Sequence, residues 1–92
     1  HPTMDEAVAV HVLTHESMHM RGQTNEALAE CEAVQRDEIT AHELGASVEQ
    51  ARRLARVYWL LVYPRMPEDY FSRDCRPGGP LDEGLASAPW AG

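Results

Sequence analysis

The chain is poor in positive charge. Eight Lys and Arg residues stand against 15 Asp and Glu, for a net charge of -7. The cationic footprint that a phosphate backbone demands is missing, so nucleic acid is not expected as a partner. Long apolar runs are also missing. The longest, Val57 to Tyr63, is far shorter than the roughly 20 residues a membrane-spanning helix needs, and no membrane span is expected. There is no internal repeat and no glycine-rich phosphate loop, and no stretch reads as a strand edge of the kind that peptide-binding sites use. The chain opens at His1 without an initiator Met or a basic-then-apolar leader, which reads as a mature, trimmed or partial product. Cysteine is limited to Cys31 and Cys75.

What is present fits one small folded unit. Ninety-two residues with 43% hydrophobic and 25% charged content lie near the lower size limit for a self-sufficient core, where a metal or a disulfide adds useful stability. Joining Cys31 to Cys75 would pin the C-terminal segment, as small exported domains commonly do, and this points to a secreted or extracytoplasmic setting. The alternative is that Cys31 is a small buried hydrophobe and the chain is cytoplasmic. The expected organisation is a helical zinc-binding domain over residues 1–72 and an irregular tail over residues 73–92.

The expected fold class is mainly α. Thr3-x-x-Glu6 has the form of a capping box, and Ala7, Val8, His11, Val12, His15, Met18 and His19 follow at helical intervals, which predicts a helix from about Met4 to Met20 ending at Gly22. The short turn Gly22-Gln23-Thr24 forces the next helix, Asn25 to about Leu44, to return antiparallel. Leu28, Cys31, Val34, Ile39 and Leu44 supply its inner face, and Gly45 ends it. Ser47-Val48-Glu49-Gln50 opens a third helix that runs to Tyr63 and stops at Pro64. Its inner stripe is Val48, Ala51, Leu54, Ala55, Tyr58, Leu61 and Val62. Glu68 to Phe71 is expected to form a helical turn, and the prolines and glycines beyond it leave a tail anchored at Cys75, Leu81 or Trp90.

The chemistry concentrates in His15-Glu16-Ser17-Met18-His19. Residues four apart share a helix face, so both imidazoles can aim at one point, half of a tetrahedral zinc site. Glu16 is turned about 100° from His15, beside the metal, where it can take a proton from an activated water. Symmetry about the turn sets His19 opposite Glu26 and His15 opposite Glu30. Either carboxylate can then complete a three-ligand site whose fourth position stays open for water.

His15-Glu16-x-x-His19 followed by Asn25-Glu26-Ala27-x-x-Glu30 resembles the gluzincin metallopeptidases, the thermolysin-like group. Leu13 to Cys31, with Asp74-Cys75-Arg76-Pro77-Gly78-Gly79, also resembles small uncharacterised bacterial proteins that carry a metallopeptidase signature. The resemblance implies a zinc cofactor held by His15, His19 and Glu26, with Glu30 orienting His15 and Glu16 as the catalytic base. It covers about the first third of the chain. The thermolysin-like enzymes place a longer insertion before the ligand Glu, and the chain shows no counterpart of their downstream His or Tyr.

Three functions follow. The first is a zinc-dependent hydrolase, a metallopeptidase acting on a peptide or protein substrate. The second is a helical binding module whose zinc is structural or vestigial, and the third a metal-free helical interaction domain. His11, one turn back on the same face, reads as a packed residue or as a group on the substrate side. Tyr58, Tyr63 and Tyr70 are candidate donors to a developing oxyanion or packing residues.

Overall fold

The computed structural model describes residues 2–91 and is mainly α, as the periodicity predicts. Helix α1 spans Pro2–Met20, α2 Glu26–Val34, α3 Asp37–Glu43 and α4 Val48–Val57. A π-helical turn, Tyr58–Val62, continues α4 and leads into short 3₁₀ turns at Tyr63–Arg65 and Glu68–Tyr70. Among the described residues there is no strand.

The hairpin forms as its turn chemistry dictates. Gly22 takes φ +104°, the left-handed conformation that glycine adopts without a Cβ clash, and the Gln23 amide donates to the Met18 carbonyl. Asn25 then caps α2 by accepting from the Leu28 amide. The same logic repeats at Gly45, φ +107°, and at Ser47, whose hydroxyl accepts from the Gln50 amide at the start of α4. On α1 the buried positions Ala7, Val10, His11, Thr14, His15 and Met18 trace one helical face. His1 lies outside the described residues. The expected Thr3 cap is corrected, because α1 already begins at Pro2 and Thr3 lies within its first turn.

Other expectations are corrected as well. The second helix is two helices, broken at Gln35–Arg36. There the Arg36 amide turns to the Ala33 carbonyl, while the buried Gln35 side chain bonds the carbonyl oxygen of Leu81 and the amide of Glu83. These tail partners draw the chain out of line. As a result Ile39 and Leu44 are largely exposed instead of forming an inner face.

The third helix does not stay α-helical to Tyr63. Residues five apart on an α-helix diverge by about 140°, yet Tyr58 and Tyr63 are both buried. The wider π turn, closed by the Tyr63 amide on the Tyr58 carbonyl, lets both rings face inward. Leu61 and Val48, assigned to the inner stripe, are 46% and 54% exposed.

Cys31 and Cys75 form a disulfide. The segment after it is irregular, as expected, but lies closely on the helices: Arg36 holds Glu83 in a two-pronged ion pair, Ser87 donates to the Gln35 carbonyl, and Trp90 packs edge-on against Trp59. No helix of the described residues is long and apolar enough to cross a membrane.

Candidate metal centre

Antiparallel packing of α1 on α2 brings four predicted side chains together. His15 and His19, one turn apart on α1, point their Nε2 atoms at each other across 2.9 Å. Oε1 of Glu26, the first residue of α2, lies 2.5 Å from Nε2 of His19 and 3.1 Å from Nε2 of His15. Glu30, one turn further along α2, meets the other side of His15, with Oε1 2.7 Å from Nδ1. The hairpin thus pairs His19 with Glu26 and His15 with Glu30, and His15, His19 and Glu26 form a group able to hold a metal ion.

The ring tautomers show how the group fits a cation. Nδ1 of His19 is 2.6 Å from the carbonyl oxygen of Gln23, an atom that only accepts, so Nδ1 carries the proton. Nδ1 of His15 donates in the same way to the Glu30 carboxylate. In the neutral rings both Nε2 atoms are then bare lone pairs, converging with a carboxylate oxygen. Three acceptors at this spacing repel unless a cation or added protons lie among them. Ligand atoms around tetrahedral zinc are about 3.3 Å apart for bonds near 2 Å, so every edge of the triangle has to lengthen, that between His19 and Glu26 the most. The nitrogen and oxygen donor set is one that divalent transition metals, zinc among them, accept.

Protons are the competitors for this position. The hydrogen bond to the Gln23 carbonyl, with Glu26 beside it, raises the pKa of His19, and the bonds from His15 and His19 lower that of Glu26. The His15 side chain is 9% exposed and that of Glu26 42%, so the group is backed by protein on the His15 side and open on the Glu26 side.

A cavity of about 270 Å³ adjoins the opening. Val8, Val12, Val62 and Met66 give it apolar walls, and Glu16, Glu26 and Tyr70 border it. Glu16 is exposed and belongs to this rim. Val8 and Val12, which recur with His11 and His15 at helical intervals, line the cavity, and Val12 is 52% exposed.

The tyrosines divide by partner. Tyr63 is buried and accepts from the Ser72 amide. Tyr58 is buried and commits its hydroxyl to Oε2 of Glu30, and burial with that carboxylate raises its pKa. Tyr70 is half-buried, with its ring 5.9 Å from that of His15, and the charge of Glu26 raises its pKa.

Sequence reasoning missed Asp37. This residue, 1% exposed, places Oδ2 2.6 Å from Nδ1 of His11, which is itself 2% exposed. His11 is therefore a buried, paired residue. Burial alone lowers its pKa, but the hydrogen bond to Asp37 and the charges of Asp37 and Glu30 outweigh this and raise it to about 9. No family model, no curated protein and no solved structure matches the chain, so its function is argued from this geometry.

Proposed function

We propose that the chain is a zinc-dependent hydrolase, a metallopeptidase, with His15, His19 and Glu26 as zinc ligands. The observation that carries this reading is the meeting of two Nε2 lone pairs and one carboxylate oxygen beside an open cavity rimmed by Glu16. Three protein ligands with one open side suit a catalytic zinc site better than a structural one, which is closed by four.

Zinc held there supplies Lewis acidity and makes water a nucleophile near neutral pH. Glu16, exposed on the cavity rim, takes a proton from the attacking water as its oxygen joins the scissile carbonyl carbon. The C–N bond then breaks, and Glu16 passes that proton to the departing amine. Tyr70, the rim tyrosine beside Glu26, turns its hydroxyl from that carboxylate to the carbonyl oxygen and donates to it as negative charge develops there. Glu30 keeps His15 in the tautomer that presents Nε2. The apolar walls hold the substrate side chain next to the bond that is cut. The Cys31–Cys75 disulfide supports an extracytoplasmic place of action.

The test compares zinc content and cleavage of a peptide library by the wild type and Glu16→Gln. Glu16→Gln is expected to keep stoichiometric zinc and lose cleavage. Unchanged turnover in that variant overturns the catalytic assignment. A wild type that cleaves nothing and unfolds on chelation points instead to a binding module with structural zinc.

A further inference from the structure

Behind His15, Glu30 leads back to two further buried polar groups, His11 and Asp37, that take no part in the hydrolysis itself. Glu30 is 1% exposed, and a carboxylate buried to that degree must be satisfied on both oxygens. Oε2 receives the Tyr58 hydroxyl. Oε1 receives the Nδ1–H of His15 at 2.7 Å and is approached by Nε2 of His11 at 2.8 Å. His11 is fixed from two further directions. Its ring stacks on Tyr58, with centroids 3.6 Å apart and planes 11° from parallel, and its Nδ1 meets Asp37 at 2.6 Å.

The line runs Asp37, His11, Glu30, His15, and each residue is less than one-tenth exposed. It crosses three helices, and Asp37 reaches it only because the chain breaks at Gln35–Arg36 and restarts with Asp37 as the first residue of α3. The approach of His11 to Glu30 lacks hydrogen-bond alignment, which leaves Nε2 of His11 without a bonded partner. Its action on Glu30 is therefore one of charge and placement.

We propose that His11, held by Asp37, is a positioning residue for the metal centre: it fixes the Glu30 carboxylate on the Nδ1–H of His15 and so sets how firmly His15 presents Nε2 to zinc. This rests on the zinc reading above and extends it to two residues outside the ligand set. Loss of partners that orient a ligand histidine typically weakens metal binding by roughly 10- to 100-fold. A buried His11 that is only core packing leaves zinc affinity unmoved.

The experiment measures zinc dissociation constants by chelator competition for the wild type, His11→Phe, Asp37→Asn and Glu30→Gln, and for each of the first two variants combined with Glu30→Gln. His11→Phe keeps the stacking on Tyr58 and is expected to weaken zinc about 10- to 100-fold, with a smaller loss for Asp37→Asn. Neither change is expected to weaken zinc further once Glu30 is Gln, because the path through that carboxylate is already cut. The Nδ1 proton signal of His15 in the zinc-loaded protein is expected to move upfield in both single variants. Should His11→Phe fail to fold, the isosteric Asp37→Asn carries the same comparison. Wild-type affinity in the single variants, or an undiminished loss in the Glu30→Gln background, overturns the proposal while leaving the zinc site standing. A wild type that takes up no zinc overturns the metal reading itself.

Discussion

Nδ1 of His19 donates to the carbonyl oxygen of Gln23, four residues on, at 2.6 Å. The donor is in the last turn of α1 and the acceptor is in the turn that follows, so the end of the helix orients the imidazole. Gly22 makes this geometry possible. At φ +104° its backbone is in the left-handed region, and a Cβ there meets nothing within 4 Å, so the constraint is the backbone and not space.

Gly22→Ala is accordingly expected to cost about 1 kcal/mol of stability through that strained φ. It is also expected to weaken zinc several-fold as Gln23 shifts away from His19. Thermal melts with and without zinc separate the two effects. A destabilised variant with wild-type zinc affinity shows that the turn does not orient His19.

Zinc binding is expected to weaken on acidification earlier than an ordinary histidine dictates. The bond to Gln23 and the nearness of Glu26 raise the pKa of His19 above its usual 6.5, so protons already compete with zinc above that pH. Glu26, shifted below the usual 4.5, remains anionic through the same window. Saturating zinc at about 100 times its dissociation constant adds about 2.7 kcal/mol of stability. That gain is expected to shrink as the pH falls through the raised His19 value and to vanish in His19→Ala. Competition titrations across pH provide the check, and a pH-independent affinity contradicts the ligand role of His19.

The hairpin and its four facing side chains were legible in the sequence because every signal is local. A glycine fixes the turn, an asparagine caps the return helix, and residues four apart share a face. The core line behind them was not legible, because its partners are distant in sequence. Asp37 meets His11 from 26 residues away, and in a helical pattern such a charge reads as solvated. Gln35 breaks the second helix through tail partners 46 and 48 residues on. The π turn is set by the need to bury both Tyr58 and Tyr63, a tertiary demand that outweighs the local α-helical pattern.

The stability of the metal-free protein is expected to fall on the alkaline side of neutrality. His11 is raised from 6.5 to about 9 among Asp37, Glu30 and Tyr58. A group with a raised folded-state pKa contributes stability that is complete below about pH 6.5 and is lost as the pH climbs through about 9. At roughly 1.4 kcal/mol per pH unit, the loss is on the order of 3 kcal/mol. Urea titrations at a series of pH values in the presence of chelator measure it. The alkaline slope is expected to flatten in His11→Phe, and an unchanged slope in that variant places the titrating group elsewhere.

Two devices hold the tail, and they act on different states of the chain. The disulfide closes a separation of 44 residues, and the chain-entropy argument gives about 4 kcal/mol for such a loop, acting mainly on the unfolded ensemble. The double change Cys31→Ser, Cys75→Ser is therefore expected to lower global stability by a few kcal/mol, while much of the native tail contact remains. Gln35 acts on the folded state. Its side chain, 0% exposed, donates to the Leu81 carbonyl and accepts from the Glu83 amide. Gln35→Ala leaves both partners unsatisfied at about 1 to 3 kcal/mol each. Hydrogen exchange distinguishes the two changes: the Glu83 amide is expected to lose protection in Gln35→Ala well before global unfolding, while the amides of α1 keep theirs. Equal loss of protection across α1 and the tail contradicts separate anchoring, because the tail and the α1–α2 hairpin then open as one unit.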